Sequence, residues 1–238
     1  MSNASERIMH LENVGVCYKG QGIRRKGGIW PLKEVTFDVL RGETLGVIGK
    51  NGAGKSTLLR LLAGIILPDA GSMQTWCDRI SLLSLQVGFN PKSTGRENVL
   101  MSGMLQGMSR KRLLACMDDI IEFSELADFI DMPVRTYSSG MKARLGFALA
   151  MQIKPDVLLI DEVLGVGDEQ FKRKSSSAMR QLIRSERTVI LVSHQVGTIM
   201  ELCDRAVLLN SGKTVVQGKP EHVLEEYERN IVLEKKTS

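Results

Sequence analysis

Gly49-Lys50-Asn51-Gly52-Ala53-Gly54-Lys55-Ser56-Thr57 fits G-x-x-x-x-G-K-[ST], and no other stretch constrains the fold as strongly. Residues 43–48 before it are an apolar run of strand length, and residues 58–64 after it read as a helix. A strand, a glycine-rich turn and a helix in that order aim a row of backbone N–H groups and a positive helix end at one anion. The glycines let the backbone take positive φ and approach that anion with no Cβ between. This is the pattern of a phosphate-binding loop. In such a loop Lys55 reaches the β- and γ-phosphates, and the Ser56 hydroxyl is a magnesium ligand. Asn51, Gly52, Ala53, Gly54 and Thr57 complete the expected cradle.

Around the loop the pattern alternates between strands and helices. Residues 8–18 alternate and read as a first strand, and 32–39 as its hairpin partner. Between them lies a glycine-rich basic loop over 19–28, read as a solvated hairpin end. Short strands are expected at 72–76 and 79–85, after the turn signal Pro68-Asp69-Ala70-Gly71. From 96 to about 139 the character is helical. The expected pieces are 97–105, then 109–123 with Ser109 as cap and Leu113, Met117, Ile120 and Ile121 on one face, then 124–130. Buried strands follow at 157–160 and 188–192, both wholly apolar. Helices are expected at 142–151, 172–185, 196–203 and 220–233, and closing strands at 205–209 and 213–217.

The fold class is therefore α/β. It is a P-loop NTPase (RecA-like) core with a mostly parallel sheet, an N-terminal antiparallel β subdomain and an inserted helical subdomain. The domain boundaries read as 6–225 for the nucleotide-binding domain, with 93–148 as the helical subdomain, and 226–238 as the end of the last helix.

Two carboxylates and a histidine stand where chemistry is expected. Asp161 and Glu162 directly follow the apolar strand at 157–160, so they point into the crevice where such sheets bind ligands. Asp161 fits a second magnesium-holding group, and Glu162 fits a general base acting on an attacking water. His194 follows the strand 188–192, which should lie beside the strand bearing Asp161, and so should face the γ-phosphate. His10 and His222 lie outside any such context and read as structural. Ser138 and Gly140, before the helix at 142–151, offer a hydroxyl and free N–H groups to an anion, or simply cap that helix.

Composition narrows the class without naming it. The 238 residues are 43% apolar and 25% charged, enough for one large domain with a full core. A net charge of +5 is too small to argue a nucleic-acid or anionic-membrane partner, and no nucleic acid is expected. The cysteines at 17, 77, 116 and 203 form no close pair, which gives no metal knuckle or C-x-x-C motif and reads as reduced cytosolic thiols. No run of about 18 apolar residues is present to span a bilayer.

Taken together these motifs resemble the ATP-binding subunit of an ABC transporter, over about residues 6–220. Tyr137-Ser138-Ser139-Gly140-Met141 is a variant of that family's LSGGQ signature: Ser138 and Gly140 match, while Ser139 and Met141 depart. Arg144 stands where the family carries an arginine. Gly165-Val166-Gly167-Asp168 lies where its dimer-contact loop falls, and Tyr18 matches its adenine-stacking aromatic. Ser-Ser-Gly-Met, Thr94-Gly95-Arg96-Glu97-Asn98, and Glu162 to Asp168 followed by Phe171-Lys172 are similar to the subfamily that exports capsule, O-antigen or teichoic acid.

The resemblance implies ATP and Mg2+ as cofactors. It implies a head-to-tail dimer of two copies, each signature capping the other's ATP, and an integral membrane permease that this subunit joins from the cytoplasmic face. The family's glutamine loop should fall between 85 and 92, with Gln86 as the metal-touching candidate and Asn90 as its rival. Some O-antigen members carry a carbohydrate-binding domain after the ATPase. This chain is expected to lack it or to be cut before it. The alternatives are an importer or lipoprotein-export ATPase, and a soluble ABC protein of DNA repair or translation.

Overall fold

The computed structural model describes residues 6–19, 28–85, 87–162 and 165–237. The chain splits into two units. One comprises residues 1–82, 156–162 and 183–238; the other comprises 83–155 and 163–182.

In the first unit, the alternating stretches pair as antiparallel strands, β1 (Arg7–Tyr18) with β2 (Ile29–Leu40), and Leu11 sits opposite Phe37. The phosphate-loop strand is β3 (Thr44–Ile48), followed by β4 (Ala70–Thr75), which lies antiparallel on the other side of β1. The remaining strands are β5 (Ile80–Leu82), β6 (Val157–Asp161), β7 (Thr188–Val192), β8 (Arg205–Asn210) and β9 (Lys213–Gly218). The described strands form one sheet in the order β4-β1-β2-β9-β8-β3-β7-β6-β5. From β8 to β5 every neighbour is parallel.

The apolar runs of β3, β6 and β7 follow from burial on both faces. One face packs Leu45, Val47, Leu159, Ile190 and Val192 with Leu58 and Leu61 of α1 (Lys55–Leu62). The other packs Ile48, Ala206 and Leu208 with Ile199 of α7 (Val196–Leu202) and with Val223, Leu224 and Tyr227 of α8 (Pro220–Thr237). The helix α8 runs through residue 225 without a break. Among the described residues no helix is long and apolar enough to cross a membrane. His10 is structural, as read: its Nδ1 lies 2.6 Å from Asp38 Oδ1 on the neighbouring strand.

The second unit holds α2 (Gly95–Leu105), α3 (Arg110–Ala115), α4 (Met117–Ser124), α5 (Ser139–Gln152) and all but the last residue of α6 (Glu169–Ile183). The stretch 94–98 is a structural device. Thr94 and Glu97 make a reciprocal capping box on α2. Arg96 pairs with Asp131 at 2.8 Å, and buried Asn98 staples the loop before it by receiving Asn90 N–H at 2.6 Å and donating to the Asn90, Ser93 and Thr94 carbonyls. Phe123, Phe147 and Phe171 form an aromatic cluster with centroids 5.8 to 6.3 Å apart.

Two helical expectations are corrected here. The single helix expected over 109–123 breaks at Cys116, whose φ of −107° and ψ of 11° leave the helical region. Its thiol donates to the Leu113 carbonyl at 3.6 Å, the acceptor a continuous helix would have offered to Met117. Ser109 does cap α3, and Leu113, Met117 and Ile120 are buried while Ile121 is half-buried. The helix expected at 124–130 is a series of turns. Glu125 takes the left-handed conformation (φ 57°) and stops α4, after which Phe129 N–H bonds to Leu126 and Met132 N–H to Phe129.

Candidate nucleotide-binding site

The loop after β3 adopts the shape its glycines permit. Gly52 and Gly54 have φ of 81° and 108°, where an L side chain is strained. At Gly54 space is short as well, since a Cβ would fall 2.7 Å from Leu32 Cδ2. The turn between β8 and β9 braces the loop: Gly212 N–H donates to the Ala53 carbonyl at 3.1 Å. Lys55 folds over the loop and donates to the carbonyls of Gly49 at 2.7 Å and Lys50 at 2.9 Å. The first-turn N–H groups of α1 have no intrahelical acceptor, and no acidic side chain stands in that turn.

These groups face a cavity of about 400 Å3 lined by Pro31, Asn51, Gly52, Gly54, Lys55, Ser56, Thr57, Asp161 and Glu162. Ala53, in the same loop, is buried and is not part of this lining. Asp161 reaches the cavity because β6 ends there, in parallel register with Val192 of β7. Glu162 follows in the left-handed conformation, φ 55°, held by its N–H bond to the Val192 carbonyl at 3.0 Å. Such a conformation costs a non-glycine residue about 1–3 kcal/mol and persists where neighbouring structure enforces it. His194, two residues past β7, places Nδ1 2.6 Å from Glu162 Oε1.

Electrostatics tie the loop to the strand end. Burial pulls the Lys55 amine below its ordinary pKa, opposed by the charges of Glu162 and Asp161. Burial pushes the Asp161 carboxyl up, the Glu162 charge adds to this, and Lys55 opposes it. A cation beside Asp161 would offset the rise of its carboxyl. A hydroxyl and one carboxylate on one cavity wall are hard oxygen donors, which suit magnesium. Among the described residues no three His, Cys, Asp or Glu side chains cluster as an all-protein metal cage. Magnesium commonly takes a few protein ligands and completes its shell with phosphate oxygens and water, so the donor set fits it.

Other expected residues lie elsewhere. Tyr18 is 41% exposed at the end of β1, and the cavity lining above does not include it. Gln86 lies outside the described residues, as do residues 20–27 of the basic loop. The side chain of Asn90 accepts Lys92 N–H at 3.0 Å in a local turn. In the second unit, Ser138 is the N-cap of α5, its Oγ accepting Met141 N–H at 3.1 Å, and Gly140 sits in the first turn. Arg144, one turn on, lies 5.0 Å over the Phe171 ring and pairs with Glu125 at 3.1 Å and with Asp168. Phe171 N–H and then Arg144 hold the Asp168 carboxyl below its usual value. The sequence reading missed Pro31 and, close by, Tyr227. The spacing of Val223, Leu224 and Tyr227 on one helical face was the available signal for the latter.

A phosphate-binding loop at the end of a central parallel strand, β3, with an acidic pair at the end of β6 on the far side of β7, defines a P-loop NTPase. The family described as ABC transporter matches residues 32–165. The chain is 47% identical over 205 residues to the O-antigen export system ATP-binding protein RfbB of Myxococcus xanthus, covering 86% of this chain and 47% of that one. It is 42% identical over 212 residues to the teichoic acids export ATP-binding protein TagH of Lactococcus lactis, covering 89% and 45%. The chain thus spans about half the length of these two curated relatives. A solved dimeric ATP-binding cassette in a post-hydrolysis state, bound to ADP and Pi, shares the fold at a TM-score of 0.69 and 24% identity, over 90% of this chain and 99% of that one. The chain belongs to the ABC transporter family.

Proposed function

We propose that the chain binds and hydrolyses ATP to power export of a lipid-linked surface polysaccharide through a separate membrane permease. The carrying observation is the 2.6 Å contact of His194 with Glu162 on the wall of the phosphate-loop cavity. The names of the relatives support the cargo class, O-antigen or teichoic acid.

In this reading Lys55 leaves the Gly49 and Lys50 carbonyls and takes the β- and γ-phosphates, which also accept the first-turn N–H groups of α1. Ser56 and Asp161 would hold Mg2+, which would supply charge neutralisation in phosphoryl transfer. Glu162 takes the proton of the attacking water, with His194 keeping its carboxylate aimed. Tyr18 stacks on the adenine. Ser138 and Gly140 of a second copy cap the γ-phosphate, and closure excludes water. Gln86, or Asn90 in its place, carries the signal to the permease, which docks on the helical subdomain and the 86–96 loop. The chain then works peripherally, at the cytoplasmic face of the membrane.

The test is sedimentation of the Glu162→Gln chain with and without MgATP, alongside deletion of the gene in its host. The expected results are an ATP-dependent dimer holding nucleotide, and loss of a surface glycan with its lipid-linked form retained inside. A chain that binds no nucleotide overturns the ATPase reading. An intact surface glycan overturns the cargo.

A further inference from the structure

Glu162 and Asn51 border a second cavity as well as the nucleotide cavity. It measures about 360 Å3 and is lined by Lys50, Asn51, Glu162, His194 and Tyr227. Tyr227 arrives from α8, the last helix of the chain, and is 8% exposed. Its ring is fixed by packing with Ile48, Ile199, Val223 and Leu224. Among the described residues its hydroxyl has no hydrogen-bond partner. Yet no polar side-chain atom among them is both sealed from solvent and unpartnered. The hydroxyl therefore meets accessible space, and the space that Tyr227 lines is this cavity.

A hydroxyl that meets accessible space and has no protein partner takes water as its partner. A polar cavity of this size holds water, and a water needs two to four polar partners. Tyr227, His194 and Glu162 all line the cavity, and each carries a polar group that can serve as such a partner. The rigid ring of Tyr227 gives the water one fixed point that neither His194, exposed in a loop, nor Glu162 supplies.

We infer that Tyr227 is a positioning residue for ATP hydrolysis. Its hydroxyl anchors water behind the His194–Glu162 pair and holds that pair in the orientation that activates the attacking water. The inference rests on the proposed ATPase activity, and it deepens that reading by bringing α8 to the same site.

The test compares steady-state ATP hydrolysis by the full chain as wild type, Tyr227→Phe, Glu162→Gln and the double variant. Phenylalanine keeps the packed ring and removes only the hydroxyl. Loss of one hydrogen bond in the transition state should lower kcat about 5- to 20-fold. The KM for ATP and the thermal midpoint should stay those of the wild type. The double variant should be no slower than Glu162→Gln alone, because the hydroxyl acts through Glu162. A Tyr227→Phe kcat within twofold of wild type overturns the inference, as does a double variant whose losses multiply. If Glu162→Gln hydrolyses as fast as wild type, the reading of Glu162 as base fails first and the inference falls with it.

Discussion

His194 Nδ1 and Glu162 Oε1 lie 2.6 Å apart across the adjoining ends of two parallel strands. A carboxylate only accepts, so the ring nitrogen carries the proton of this bond and Nε2 is left for a second partner. The bond restrains a side chain whose backbone already sits in a costly conformation. Converting Glu162 to Gln keeps the shape and removes the basicity. Nucleotide binding should survive, and phosphate release should slow by about 10²-fold or more. Filter binding and a phosphate-release assay on the same preparation check this.

Lys55 makes two contacts with loop carbonyls and is the cation of the cavity wall. Hydrogen bonds from a charged donor contribute about 1.5–3 kcal/mol each, so Lys55→Ala should weaken ATP binding roughly 10- to 100-fold. Burial disfavours the charged amine in the nucleotide-free chain. Removing it should therefore leave the thermal midpoint nearly unchanged. Calorimetric titration with nucleotide, together with a melting curve, separates the two effects.

Glu43 is 8% exposed, and its carboxylate accepts Leu40 N–H at 2.7 Å and Arg205 at 3.0 Å. Burial, ahead of these partners, raises its carboxyl above the usual value of 4.5. A raised carboxyl favours the protonated form in the fold. Its contribution is fully present below about 4.5 and is lost as pH rises through the raised value. Arg205→Met leaves a buried carboxylate without its cation and should cost about 2–4 kcal/mol near pH 8. The deficit should shrink as pH is lowered from 8 towards 5, because the raised carboxyl takes up its proton more readily than an ordinary one. Urea unfolding at both pH values reads this directly.

Gly146 lies inside α5, where alanine would ordinarily stabilise a helix by about 1 kcal/mol. Here a Cβ would run into the Leu85 backbone carbonyl of the same unit. Gly146→Ala should therefore destabilise, by about 1–3 kcal/mol, reversing the sign that propensity gives. Denaturant unfolding of the variant decides between the two signs.

Much of this was legible in the sequence, where local chemistry and apolar periodicity agree. The loop 49–57 and the apolar strands announced themselves, and expecting β7 beside β6 placed His194 near Asp161 and Glu162. Where a residue departed from its type, the pattern failed. Glu125 takes a left-handed conformation that marks glycine far more often, and Cys116 interrupts a helix through a weak thiol bond that no propensity records. Contacts between distant segments were equally silent. Arg205 meets Glu43, and Tyr227 comes to line one cavity with Glu162, through tertiary packing alone. The start of α1 at Lys55, before its apolar stretch at 58, reflects a loop that feeds straight into the helix.

The parallel register of β6 and β7 sets an address system for the reaction. Side chains alternate along a strand, so removing a single residue from β7 would exchange the side chains packed on its two faces and carry His194 off its mark. Lengthening an exposed connection that touches neither the phosphate loop nor the ends of these strands moves no such coordinate. Changes that retune this molecule are therefore expected to accumulate in its connections, while the count of residues in its central strands is held fixed.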